Sequence, residues 1–447
     1  MDLIISSGAP ITGTIQPGGK ITLPGDKSLS HRAALFSALA MGQSCIGNFL
    51  VAGVTQAMLE ALSALGVSWD LTGATLVVKG QGLSGLHSPT YPINCGNSAT
   101  TLRLLAGALA AAGVPAELDG SPGLRRRPMQ RIVEPLQKMG VTITASPQGT
   151  APLLLSGRPA GQRLHAIEYS LPVASAQVKS CLLLAALAAD GPTTLHEPGP
   201  SRDHTERMLR SMGVDVVTRR GTSYETHLIP PEPGVLNPLL IELPGDISAA
   251  AFLVVAALIT PGSDITLKGV GLNPDRTGLL DALDSMGGKI QVTSLSERNG
   301  EPVGDVRVWY SRLMGTQISG PLVVRMIDEF PALAVAAICA EGITTVSDAI
   351  ELRTKESDRI SALCLELRKL GVQATETTDG FFIRGGQPVI GGVVQAHGDH
   401  RLAMALAVAG LAAQAPVTVQ GAEIIHESFP GFTNTFQALG APLIIKQ

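Results

Sequence analysis

Six stretches of this chain are apolar almost without a break: Ala33–Ala40, Leu102–Ala112, Ser180–Ala189, Ala249–Ile259, Ala332–Ala340 and Leu402–Ala413. Helix-length segments that are apolar all round predict helices buried on most sides. A polar start precedes each one, in order Asp26/Ser28, Asn97/Ser98, Ser175, Asp246/Ser248, Asp328 and Asp399. Side chains of this kind accept hydrogen bonds from the first N–H groups of a helix, and Ser28 reads as the N-cap of the first. Short β-type runs follow, such as Thr193-Thr194-Leu195, Asp264–Leu267, Thr344-Thr345-Val346 and Val417-Thr418-Val419. An amphipathic stretch then ends on a recurring marker: Leu65-Gly66-Val67, Met139-Gly140-Val141, Met212-Gly213-Val214, Met286-Gly287-Gly288, Leu370-Gly371-Val372 and Leu439-Gly440-Ala441. Each marker glycine fits the left-handed residue just past a helix end. The glycines lie 74, 73, 74, 84 and 69 residues apart. The chain is a sixfold repeat, each unit reading strand, buried helix, strand, exposed helix, strand pair.

Six units are too many for one core, and 447 residues suffice for two. The expected fold class is α/β (α+β), with two similar lobes of three βαβαββ repeats each. Pro/Gly-rich segments at 18–24 and 230–244 read as a double-crossover hinge. They divide the chain into one lobe of 22–242 and another of 1–21 plus 243–447, with the strand around Ile11–Ile15 joining the second. If the units pack around a pseudo-threefold axis, the buried helices run parallel and their N-termini gather at one end of each lobe. Each N-terminus carries roughly half a positive charge, so the cleft between lobes would trap anions.

Composition narrows the chemistry. A hydrophobic content of 45% and a mean hydropathy of +0.27 describe a packed globular chain. Its apolar runs contain small residues and fall short of a membrane span. Met1-Asp2-Leu3 lacks the basic start of an export signal, and the expectation is a cytoplasmic protein with no membrane partner. A net charge of −4 with 3% aromatics argues against nucleic acid. The cysteines Cys45, Cys95, Cys181, Cys339 and Cys364 are odd in number and include no C-x-x-C pair, so neither disulfide nor zinc is indicated.

Within this acidic chain the basic residues cluster near the helix starts: Lys27, Arg32, Arg103, Arg125–Arg127, Lys179, Arg202, Lys355, Arg359 and Arg401. That pattern points to a small substrate with several negative charges. Pro24–Arg32 reads as a turn feeding a helix whose start takes phosphate or carboxylate. A P-loop reading fails because Asp26, not Gly, precedes Lys27. The arginine run follows Gly120–Gly123, a loop of a kind that closes over ligands. Lys355 and Arg359, spaced i,i+4 on a helix opened by Thr354, share a face. Two acids interrupt the cations. Asp328 and Glu356 would either move protons or bind a ligand hydroxyl, and Asp328 also suits a plain N-cap. Glu329 and Asp358 read as structural or solvated. His397 and His400 lack a third ligand nearby, so they read as hydrogen-bonded histidines with no metal.

Five blocks, in order and over essentially the whole chain, resemble the 5-enolpyruvylshikimate-3-phosphate synthase family. They are Gly25–Arg32, Arg127-Pro128-Met129, Ser175-Ala176-Gln177, Lys355-Glu356-Ser357-Asp358-Arg359 and Asp399-His400-Arg401. The resemblance implies two lobes of three βαβαββ repeats. It implies transfer of the enolpyruvyl group of phosphoenolpyruvate to the 5-hydroxyl of shikimate 3-phosphate, without cofactor or metal, by a protein expected to be a monomer. By matching motif, Lys27, Ser28, Arg32, Ser175, Ala176, Gln177, Ser201, Arg202, Asp328 and Lys355 would hold shikimate 3-phosphate. Lys27, Ala99, Arg127, Gln177, Arg359 and Arg401 would hold phosphoenolpyruvate. Asp328, Glu356 and Lys27 would be catalytic. The lobes would close once anions arrive. Two departures stand out. Ala99 occupies a position where many members have Gly, which implies weakened inhibition by glyphosate. Glu423 lies in the region where some members place a Lys. UDP-N-acetylglucosamine enolpyruvyl transferase is the nearest rival, but its lid-loop Cys has no counterpart in Gly120–Arg127. A non-catalytic anion-binding scaffold is the rival from another class.

Overall fold

A computed structural model describes residues 1–19, 21–221, 223–231 and 235–446. Parts of both expected hinge segments, at 20 and 232–234, lie outside the described residues. The chain forms two compact units. One comprises Met1–Pro24, Pro244–Glu297 and Pro302–Gln447; the other comprises Gly25–Leu243 with Arg298–Glu301.

Six buried helices organise the fold: α1 (Lys27–Leu39), α2 (Ala99–Ala112), α3 (Ala176–Ala186), α4 (Ile247–Ile259), α5 (Phe330–Cys339) and α6 (His400–Ala409). All thirteen residues of α4 are buried, as its unbroken apolar sequence predicts. In the unit of residues 25–243, α2 packs on both α1 and α3. Its contact with α3 is so close that a Cβ on Gly107 would sit 2.2 Å from the Cys181 carbonyl oxygen; only glycine fits there. In the other unit α4, α5 and α6 pack pairwise. Each unit has its own apolar core.

The described strands form six four-stranded sheets with one wiring. In each, the first strand runs parallel to the second, and the second runs antiparallel to the strand on its other side. Three strands come from outside their own repeat. Leu240–Glu242 pairs with Met41–Gly47, Thr12–Ile15 pairs with Asp264–Gly271, and Asp2–Ile5 fits between Val417–Gln420 and Leu443–Lys446. The six marker glycines all have positive φ, from 83° to 100°, and each follows the Leu or Met that caps a helix end. Among the described residues no helix is long and apolar enough to cross a membrane.

Three local expectations change. Asp26, not Ser28, caps α1, accepting the Leu29 N–H at 2.9 Å, which leaves Ser28 inside the first turn. Glu329 holds the cap position of α5, one residue after Asp328, because Pro331 already supplies a first-turn residue with no N–H. Lys355 and Arg359 do not share a helix. A 3-10 turn ends at Thr354, Lys355 is extended, and Asp358 caps the helix Arg359–Lys369 by accepting from Ser361.

Candidate functional site

In the unit of residues 25–243, the starts of α1, α2 and α3 are tied together. His31 is buried, which pushes its imidazole down to about 4 and keeps it neutral. Its ring spans from the Lys27 carbonyl, 2.8 Å from Nδ1, to the Ser98 hydroxyl, 3.2 Å from Nε2. Ser98 caps α2 and Ser175 caps α3. Gln177 donates from Nε2 to Thr100 Oγ1 at 2.8 Å, joining the first turns of α3 and α2. Lys27, Ser28, Ala99, Ser175, Ala176 and Gln177 therefore meet around three helix N-termini, where unpaired N–H groups favour anions. Gly25 allows this entry, because a Cβ there would lie 1.7 Å from the Asn48 carbonyl oxygen.

The arginine loop is anchored to the same place. The Ser121 N–H donates to the Gly96 carbonyl at 2.8 Å and its hydroxyl to Asn97 Oδ1 at 2.9 Å. Arg125 pairs with Asp119 and holds that carboxyl below its usual range, while half-buried Arg127 ends the turn. Arg103 was not among the expected ligand residues. It donates to Gln177 Oε1, and to the Pro128 carbonyl at 2.8 Å.

Arg32 is placed in the interior. It is 2% exposed, and its Nε, NH1 and NH2 donate to Thr205 Oγ1, the Ser28 carbonyl and Ser180 Oγ. Beside Ser201 lies a second buried group. Lys179 Nζ is 2.7 Å from Glu197 and 2.8 Å from Glu206, and it donates to the Ser201 carbonyl at 3.4 Å. The Ser201 hydroxyl donates to Glu197. Burial lowers the proton affinity of the ammonium, but the two carboxylates outweigh it and raise the pKa of Lys179. One cation cannot fully compensate two anions, and burial leaves Glu206 raised.

The other unit repeats the arrangement with acids added. Ser248 on α4 donates to Glu329 at the start of α5, and Arg401 on α6 lies 3.7 Å from the same carboxylate. The three helix starts thus meet at Glu329, which is 1% exposed; its expected structural role is fulfilled in the interior, not in solvent. Arg276, itself buried, adds bonds to Asp246 Oδ1 and Ser248 Oγ.

Arg359 is the hub of this unit. Its Nε donates to Asp399 Oδ2 at 2.7 Å, its NH2 to Glu356 Oε2 at 2.7 Å, and its NH1 approaches Asp328 Oδ1 at 3.4 Å. Lys355 Nζ reaches Asp328 Oδ1 at 3.3 Å. Burial opposes the charge on Arg359, but three carboxylates raise its pKa. Burial would lift Asp399, yet Arg359 beside it holds it low. Asp399 also caps α6, accepting from the Arg401 N–H at 2.9 Å. Lys355, Glu356 and Arg359 are therefore brought together with Asp328 from a second segment and Asp399 from a third, with Arg401 at the adjacent helix start.

His397 Nε2 lies 2.6 Å from Glu366 Oε1, a hydrogen-bonded histidine as expected. Glu423 pairs with the Met1 amino group at 2.9 Å, so it is held by the N-terminus.

A family model described as EPSP synthase (3-phosphoshikimate 1-carboxyvinyltransferase) matches residues 11–436. The 3-phosphoshikimate 1-carboxyvinyltransferase of Geobacter sulfurreducens is 48% identical over 418 residues, covering 93% of this chain and 95% of that protein. The protein of that name from Citrifermentans bemidjiense is 46% identical over 432 residues, covering 95% and 98%. Among solved structures, an EPSP synthase from Acinetobacter baumannii is similar with a TM-score of 0.86 at 40% identity, covering 100% of both chains. The enolpyruvyl transferase NikO from Streptomyces tendae shares the fold, with a TM-score of 0.79 at 19% identity over 99% and 98% of the two chains.

Proposed function

The chain belongs to the EPSP synthase family, and from that premise we propose how its own side chains carry out the family's reaction. The reaction transfers the enolpyruvyl group of phosphoenolpyruvate to the 5-hydroxyl of shikimate 3-phosphate and releases phosphate, a step of aromatic amino acid biosynthesis. The rival acceptor, UDP-N-acetylglucosamine, and the non-catalytic scaffold are not favoured by these relatives.

Lys27, Ser28, Ser175, Ala176 and Gln177 present donors to shikimate 3-phosphate, with Ser201 and Arg202 at its phosphate and Asp328 and Lys355 at its hydroxyl side. Arg32 supports this set from below through its bonds to Ser28, Ser180 and Thr205. Lys27, Arg127, Gln177, Arg359 and Arg401 bind phosphoenolpyruvate, and Ala99 packs against it. Asp328 takes the proton of the attacking 5-hydroxyl. Glu356 delivers a proton to the methylene carbon of phosphoenolpyruvate. The new C–O bond gives a tetrahedral adduct; loss of phosphate and return of the methyl proton restore the double bond. Lys27 offsets charge building on the oxygens. The enzyme works as a cytoplasmic monomer in this reading.

The observation that carries it is the single guanidinium of Arg359 shared by Asp328, Glu356 and Asp399. When Arg359 turns its donors to an incoming anion, Glu356 and Asp328 lose part of their counter-charge and gain a negative neighbour. Both changes raise a carboxyl pKa toward the range useful for proton transfer.

Phosphate release is measured with phosphoenolpyruvate plus shikimate 3-phosphate, and separately with UDP-N-acetylglucosamine. The expected result is turnover with the first acceptor only. Asp328→Asn and Glu356→Gln are expected to lower kcat by about 10²–10⁴-fold while shikimate 3-phosphate binding stays within a few-fold. Either variant turning over at the wild-type rate would overturn its catalytic role.

A further inference from the structure

Arg103 lies in an otherwise apolar helix, Leu102-Arg103-Leu104-Leu105, and is 8% exposed. A guanidinium is held at such a depth only with partners. One of them is Gln177, assigned above to phosphoenolpyruvate, and another is the backbone next to Arg127, which is assigned to it too. One terminal nitrogen donates to Gln177 Oε1 and the other to the Pro128 carbonyl, directly after Arg127.

The chemistry of the pair fixes an orientation. Arginine has only donors, whereas a glutamine amide has an accepting oxygen at one end and two N–H groups at the other. Facing Arg103, Gln177 must therefore turn its oxygen inward. The amide nitrogen then points the other way, where one N–H reaches Thr100 Oγ1 at 2.8 Å. The second N–H belongs to the same outward-turned end, at the starts of α2 and α3. Flipped by half a turn, the amide would set a carbonyl oxygen against any anion there and an N–H against a cation.

We propose that Arg103 is a positioning residue of the transfer reaction. It locks the Gln177 amide with its N–H end toward phosphoenolpyruvate, and by holding the Pro128 carbonyl it fixes the backbone that carries Arg127. Arg103 does not itself touch substrate. This rests on the assignment of Gln177 and Arg127 to phosphoenolpyruvate, so the experiment separates the two.

Steady-state kinetics are measured for Arg103→Lys, Arg103→Met, Gln177→Ala, Arg127→Ala and the double variant Arg103→Lys/Gln177→Ala, with melting curves as a folding check. Lysine keeps the charge and most of the stem but cannot serve two acceptors in a fixed fork. Hydrogen bonds from a charged group are typically worth a factor of about 10–100. Arg103→Lys is expected to raise KM for phosphoenolpyruvate by that factor, at least five times more than KM for shikimate 3-phosphate, with kcat falling less than threefold. In the double variant the effects are expected to combine to less than their product, because part of the action of Arg103 passes through Gln177. Unchanged KM for phosphoenolpyruvate in Arg103→Lys, or strictly multiplicative effects, would overturn the proposal, and Arg103→Lys decides it even where Arg103→Met fails to fold. If Gln177→Ala and Arg127→Ala both leave that KM unchanged, the substrate assignment fails instead. If they raise it and Arg103→Lys does not, only the role of Arg103 falls.

Discussion

Lys179→Met tests whether the buried charges beside Ser201 are a required unit. Lys179, Glu197 and Glu206 have side chains 2%, 4% and 0% exposed, and the ammonium lies within 2.8 Å of an oxygen of each acid. Methionine keeps the stem and removes the charge, leaving two carboxylates buried without their cation. Breaking a buried pair by deleting one partner costs about 3–5 kcal/mol. In a unit of this size about 1 kcal/mol moves Tm by roughly 2–4 °C, so a fall of about 6–20 °C is expected. The loss should depend on pH, with a defined sign. Glu206 is already raised by burial, and without Lys179 it rises further above its unfolded value. The folded variant then binds more protons than the unfolded chain, so its stability drops as pH increases and is regained as pH falls through the folded pKa. Calorimetric melts at pH 8 and pH 5 should show a smaller gap between variant and wild type at pH 5. The double variant Lys179→Met/Glu206→Leu should recover at least half of the loss, because an apolar replacement removes one stranded charge. A loss below about 1 kcal/mol, or a gap equal at both pH values, would refute the reasoning.

Two further outcomes follow from single atoms. Ala99 is 1% exposed and opens α2; with its methyl against phosphoenolpyruvate as proposed above, Ala99→Gly is expected to lower the inhibition constant for glyphosate about tenfold, one methyl being worth about 1–3 kcal/mol of discrimination, and an unchanged constant in inhibition kinetics would refute this. Replacing a mid-helix glycine by alanine normally stabilises by about 1 kcal/mol; Gly107→Ala should do the opposite, since the new Cβ meets the Cys181 backbone at 2.2 Å, and chemical denaturation should show a loss of about 1–3 kcal/mol.

The repeat was legible because it is written in local signals. A glycine after the last turn of a helix takes positive φ for a steric reason that needs no tertiary context, and all six markers do so. Uninterrupted apolar segments become buried helices for an equally local reason. The misplaced details are those where two local signals compete. Asp26 and Ser28 both suit an N-cap, and Asp26 takes it by accepting the Leu29 N–H. Counting back from Pro331 would have moved the cap of α5 from Asp328 to Glu329. The Ser357-Asp358 pair, three residues before Ser361, was the sign that the helix carrying Arg359 starts after Lys355.

Charged residues in apolar surroundings follow a different logic. The desolvation penalty guarantees that Arg103, Lys179, Glu206 and Arg359 have partners, and the sequence shows that need plainly, as in Val178-Lys179-Ser180-Cys181. It does not show who answers it. Arg359 finds Glu356 three residues away, in the segment just before its helix, but its other carboxylates are 31 and 40 residues distant. Arg103 meets Gln177 across 74 residues, about one repeat length. That separation is the consequence of the repeat itself: helices that start alike and pack side by side bring equivalent first turns together, so a cation in one repeat faces an acceptor in the next. For pairs of this kind the periodicity points to the start of the neighbouring buried helix, whereas Lys179 finds Glu197 and Glu206 within its own repeat. The periodicity leaves the chemistry at each meeting point to be fixed by side chains that the repeat does not share, and those differences separate a start such as that of α3, capped by Ser175, from a carboxylate-bearing one such as that of α5.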